Sequence, residues 1–174
     1  MWSIVTPALE FGVLLSAVLI ALLLVVLRVN PEIMLNDYPP DIRAKWGPVT
    51  ERTKRQRVFV AGIFAVVVIG FVVRSLNTVP ELLTRELTYG TFAYFAIMFG
   101  TFNLLDWLVL DWGLVYWQPG FVVLPGTEGM AGYRNYWFHF RGFLIGIPIV
   151  LAGSLVCAGI VAFLVRAGVW GNAF

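Results

Sequence analysis

Two carboxylates and an amide sit where a membrane-spanning segment should be apolar. The run Asn103-Leu-Leu-Asp106-Trp-Leu-Val-Leu-Asp111-Trp lies in a stretch otherwise hydrophobic enough to cross a bilayer. Ionisable groups there are costly in hydrocarbon, so they face a protein interior or water, and they mark ion or proton paths and other functional sites. Glu128 follows in Pro125-Gly-Thr-Glu-Gly, and the only histidine, His139, in Phe138-His-Phe-Arg141. Asn103, Asp106, Asp111, Glu128, His139 and Arg141 form the candidate polar site. One His with Asp and Glu suffices for general acid–base work or for part of a metal site. The Glu-x-x-His pairs of di-iron bundles are absent, as is a Gly-rich phosphate loop. One histidine excludes a bis-histidine haem and leaves at most a single axial ligand. Catalytic roles, metal and cofactor therefore stay unassigned.

On an α-helix, at about 100° per residue, Asn103 and Asp106 share a face while Asp111 lies about 140° round from Asp106. Asp106 is the deeper of the two acids. Helix three, from Thr91 to Trp117, is about 40 Å long at ~1.5 Å per residue, so it tilts or emerges from the bilayer. Tyr94 near one end and Trp112, Tyr116 and Trp117 near the other match interfacial aromatic belts.

The elements that position these groups follow from composition. The chain is 60% hydrophobic and 13% charged, about half the charge of a soluble domain. Four continuous apolar runs are each near the ~20 residues a spanning helix needs; transmembrane β-strands would instead alternate in hydropathy. The expectation is an all-α integral membrane four-helix bundle, one domain over residues 1–174, with helices at about 8–28, 51–74, 91–117 and 141–166. The first run reads as a spanning helix and not a cleavable signal, since Met1-Trp-Ser-Ile-Val-Thr-Pro7 has no basic residue. Pro7 suits a first helical turn.

Orientation follows from lysine and arginine. Arg28, Arg43, Lys45, Arg52, Lys54, Arg55 and Arg57 flank or occupy the first loop, and Arg134 and Arg141 close the third. Only Arg74, Arg85 and Arg166 fall on the other side. Basic loops stay in the cytoplasm, which puts both termini outside and loops 29–56 and 113–141 inside. In the first loop, Asn30-Pro31 ends helix one, Gly47-Pro48 breaks a short turn, and Thr50 reads as the N-cap of helix two. Thr78-Val-Pro80-Glu81 looks like a capping box opening a short helix on the outer surface. The third loop, broken at Pro119-Gly120 and Pro125-Gly126, is expected to form a partly folded cytoplasmic cap that brings Asp111, Glu128, His139 and Arg141 together. In helix four, Gly142, Gly146 and Gly153 form a small-residue stripe suited to close helix packing. The lone Cys157 reads as packing and offers no disulfide framework.

The run Asp-Trp-Leu-Val-Leu-Asp-Trp, with Pro-Gly-Thr-Glu-Gly and Tyr-Arg-Asn-Tyr-Trp-Phe-His-Phe, resembles a family of small bacterial multi-pass membrane proteins over about residues 103–141. That resemblance implies a multi-pass protein of the bacterial inner membrane and brings no catalytic residues. Three functions are compatible with these readings. The first is a helical subunit that packs into a homo-oligomer or with a partner membrane subunit. The second is a proton, cation or small-solute transport component using Asp106 and Asp111. The third is a membrane enzyme acting on a lipid-like substrate at the cytoplasmic interface. Membrane lipid is the expected surrounding, and no nucleic acid is expected as a partner.

Overall fold

The computed structural model describes residues 2–83, 88–117 and 119–170. Helix α1 spans Trp2–Val29, a 3₁₀ segment Pro31–Asp37, α2 Pro40–Trp46 and α3 Glu51–Thr78. Helix α4 covers Tyr89–Leu105, continues as a π-helical segment Asp106–Asp111, and ends in the short α5, Trp112–Trp117. Helix α6 is Tyr136–Arg166. Four helices are long and apolar enough to cross a membrane, at Ser3–Val29, Glu51–Thr78, Tyr89–Asp111 and Tyr136–Arg166. The protein is an all-α four-helix assembly of multi-pass membrane type.

Helix α4 is central. It packs against α1 on one side and α6 on the other, and α3 lies outside against α1. Tyr94, Phe95 and Met98 of α4 are fully buried, among Ala8, Leu15 and Leu19 of α1 and Ala158, Val161 and Val165 of α6. Small residues set the approach: a Cβ added at Gly12 would lie 2.7 Å from Thr101 Cβ and 2.9 Å from the Met98 carbonyl. The α3 contact is looser, with Phe71 meeting Phe11 edge-on at 6.4 Å, while Val58, Phe59, Val66 and Ile69 are exposed. In hydrocarbon such exposure costs little, because lipid tails are as apolar as the side chains; packing and hydrogen bonds hold the helices together instead.

Caps set the boundaries, and several lie elsewhere than expected. Thr50 does cap α3, its hydroxyl accepting from the Thr53 N–H at 3.2 Å. Helix α1 begins at Trp2, so Pro7 sits inside it and not in its first turn. Thr78 ends α3, its hydroxyl donating back to the Arg74 carbonyl at 2.8 Å, so it caps nothing beyond. Pro80–Leu82 form a 3₁₀ turn; the rest of the short outer helix expected there falls partly on residues 84–87, outside the described ones. Thr88 caps α4, accepting from Thr91 N–H at 3.1 Å. Asn135 caps α6, accepting from Phe138 N–H at 3.0 Å. This last cap starts α6 five residues before the expected 141, and so carries His139 onto a helix.

At the end where α1 stops and α6 starts, the two connecting segments build a second core. Leu27, Leu35, Tyr38, Ile42, Val122, Leu124 and Tyr133 are buried together. Tyr38 Oη donates to the Val122 carbonyl at 2.7 Å, Tyr133 Oη accepts from Leu124 N–H at 2.9 Å, and Gly132 N–H donates to Asp41 at 3.1 Å. A folded cap over the helix ends therefore exists, made by both segments and not by the 119–135 segment alone. It is tied to α3 through Glu32, which accepts from the Thr53 hydroxyl at 2.5 Å and the Thr50 N–H at 3.0 Å. Burial alone would raise the Glu32 pKa, but these bonds and Arg57 outweigh it and hold it below the usual glutamate value. Arg57 also donates to the Ile33 and Glu32 carbonyls at 2.7 and 3.1 Å, so this basic residue has a structural role in addition to its charge.

Candidate functional site

The run Asp106–Asp111 departs from α-helical geometry. Trp112 N–H donates to the Trp107 carbonyl five residues back, the π-type bond. An α-helix would put residues five apart about 140° from each other; the wider turn brings position 111 back toward the face of position 106. Asp106 and Asp111 consequently line one cavity, which corrects the expectation that they point apart. Packing accounts for the bulge. Trp107 stacks on Phe143 at 5.0 Å and meets Phe140 at 5.5 Å, seating the segment on α6, while Asp111 Oδ1 reaches His139 Nδ1 at 2.9 Å. The Trp107 indole N–H is buried without a partner among the described residues.

The cavity measures about 290 Å³ and lies beneath the cap. Leu23 and Leu27 of α1 form one wall, with Phe102 and Leu110 of the central helix beside them. Tyr38, Val122 and Tyr133 of the cap form the roof, and Asp37 reaches in from the 3₁₀ segment. The described lining holds three aspartates and one histidine, and no lysine, arginine, serine, threonine or cysteine. The side-chain carboxylates of Asp37 and Asp106 make no hydrogen bond or ion pair with any described residue. Asp37 is open at the surface, yet the apolar walls around it, and then the Asp111 carboxylate, hold its pKa above the ordinary aspartate value against the pull of Arg57 and Arg43. Burial, with Tyr133 and Asp37 nearby, likewise pushes the Tyr38 phenol upward, so it stays a neutral donor.

Of the six expected site residues, three converge: Asp106, Asp111 and His139. Asn103 faces α6 instead, its amide donating to the Phe143 carbonyl at 3.2 Å in the space left by Gly146. Gly146 is thus used within the chain, whereas Gly142 and Gly153 border open space. Glu128 is exposed and folds onto its own turn, accepting from Gly126 N–H at 3.0 Å; Gly126 and Gly129, at φ 78° and 75°, permit that turn. Arg141 is exposed as well, because residues two apart on a helix do not share a face and His139 takes the inner one. Asp37, Tyr38 and Tyr133 join the cavity without having been singled out. The available signal was an acid next to Tyr-Pro-Pro in a loop otherwise rich in Arg and Lys.

No three His, Cys, Asp or Glu side chains among the described residues converge to hold a metal ion. What the arrangement offers is unpaired negative charge in a space with apolar and aromatic walls. Desolvated carboxylates of like sign destabilise one another, and a proton or a cation relieves that cost. No protein-family model, curated protein or solved structure matches this chain.

Proposed function

We propose that this chain is a component of a proton or cation pathway in a bacterial inner membrane, with Asp106 and Asp111 as its intramembrane carboxylates. The observation that carries the reading is the shared cavity: both acids open into one space, joined by Asp37 from the cap, with no basic side chain but His139 in its described lining. His139, bonded to Asp111, is placed to pass a proton between that acid and the cavity. The uneven distribution of basic residues supports a cytoplasmic cap with both termini outside. Four helices in a row around α4 are few for a complete pathway, so the working unit is an oligomer, either of this chain or with a partner membrane subunit. Gly142 and Gly153 face open space on α6 and suit such packing.

An interfacial enzyme is less well supported. The Asp111–His139 pair is an acid–base dyad, but the described lining supplies no serine, threonine or cysteine nucleophile. The hydroxyls of Tyr38 and Tyr133 are engaged with cap groups. The test is flux. Protein reconstituted in liposomes with an internal pH dye should dissipate an imposed proton or cation gradient faster than empty liposomes. Asp106→Asn and Asp111→Asn should each reduce the rate at least tenfold. Rates equal to those of empty liposomes for protons and for inorganic and organic cations would refute the reading.

A further inference from the structure

We infer that the cavity's ligand is a small organic monocation, an amine or quaternary ammonium carrying an apolar body. The inference rests on the cation reading above and adds the chemical class. A bare metal ion needs several ligands converging at short distance, and among the described residues no such group exists. The carboxylates instead approach from separate elements, Asp37 from the cap and Asp106 and Asp111 from the central helix.

Size and walls point the same way. About 290 Å³ equals the share of roughly ten liquid waters and lies at the lower end of small-molecule pockets. That is too roomy for a dehydrated alkali ion. Phe102, Tyr38 and Tyr133 line the space, and aromatic faces within about 6 Å attract organic ammonium groups. The two tyrosine rings meet edge to face at 6.1 Å, Tyr38 held by its bond to the Val122 carbonyl of the other cap segment and Tyr133 by its bond to Leu124 N–H within its own, so the rings are preorganised.

Charge sets the valence. Asp111 is paired with His139 at 2.9 Å. Asp37 and Asp106 are the two acids without a described partner, and Arg57 and Arg43 act on Asp37 from beyond the lining. One bound positive charge is shared by Asp106 and the ionised Asp37, with Arg57 and Arg43 offsetting part of the negative charge from beyond the lining, so the apolar space carries little excess charge. A dication would require more converging carboxylate than the cavity presents.

Melting of the purified protein in a neutral maltoside detergent tests this, with benzyltrimethylammonium as the probe and sodium, magnesium and benzyl alcohol as comparisons. A ligand that binds only the folded state raises the melting temperature in a saturable way. The ammonium should do so and the other three should not. Asp106→Asn should weaken the effect at least tenfold. Asp37→Asn, a change at the open cap surface that leaves the helix core intact, should weaken it as well and covers the case in which Asp106→Asn does not fold. Absence of a saturable shift with the ammonium overturns the inference, as does an equal shift with sodium or magnesium. An ammonium shift undiminished in the folded variants also overturns it. Proton or inorganic-cation flux in liposomes that persists through such a result leaves the pathway standing and removes only the ligand class, whereas absent flux removes both.

Discussion

At the scale of single residues, the cavity is defined by the Asp37 and Asp106 carboxylates, which have no hydrogen-bond or ion-pair partner among the described residues. Asp37 shows the consequence most accessibly, because it lies outside the spanning segments. Its pKa in the folded protein is raised by its apolar surroundings and by Asp111. The fold therefore binds its proton more tightly than the unfolded chain does, and the ionised form costs stability at neutral pH. That cost disappears as pH falls through the folded pKa toward the ordinary value of 3.8. Asp37→Asn should accordingly melt higher than the parent at pH 7, with the difference closing near pH 4. A variant that melts lower at pH 7 would mean that Asp37 makes a stabilising contact in its ionised form. Legibility was uneven at this scale. Asp106, Asp111 and His139 stood out because charge in an apolar run is conspicuous. Asp37 did not, because an acid in a polar loop looks ordinary until the loop folds over the helices. Glu128 between glycines drew notice, but those glycines serve its own tight turn.

Among the elements, the spans were readable from hydropathy, and Thr50, Asn30-Pro31 and Gly47-Pro48 mark three of the boundaries, whereas the caps Thr88 and Asn135 were not singled out and Thr78 caps nothing. The π-helical turn at Asp106–Asp111 was not readable. A switch from i→i−4 to i→i−5 bonding leaves no trace in composition, because contacts from another helix select it: Trp107 against Phe140 and Phe143, and Asp111 with His139. The same limit applied to the glycine stripe on α6. Spacing shows that small residues align, but only the neighbour shows their use. Gly146 makes room for Asn103, and a Cβ there would collide with that side chain. Gly146→Ala should therefore destabilise the protein by about 1–3 kcal/mol through overpacking, with the Asn103–Phe143 bond lost. Gly159→Ala, also on α6 and with nothing within 4 Å, should be neutral or slightly stabilising. Melting in detergent separates the two, and equal effects would contradict the α4–α6 contact described.

For the whole molecule, orientation and the cavity are the claims with most reach. With the cap in the cytoplasm, a cysteine at Asn77, exposed at the far end of α3, should react with an impermeant thiol reagent in intact cells. A cysteine at Glu51, whose side chain is 81% exposed at the cap end, should react only after lysis; Cys157→Ser provides the background. The reverse pattern would invert the topology. The most direct test of the account is whether Asp106 and Asp111 open into one water-reachable space. In the same background, single cysteines at Asp106, Leu108, Val109 and Asp111 are treated, in membranes open on both sides, with a small hydrophilic thiol reagent. Positions 106 and 111 should react at comparable rates, while 108 and 109, exposed on the outer surface of the span where lipid would surround them, should not. Reaction at only one of 106 and 111, with 108 or 109 reacting instead, would mean that the segment is α-helical in the membrane and that the two acids do not share a cavity.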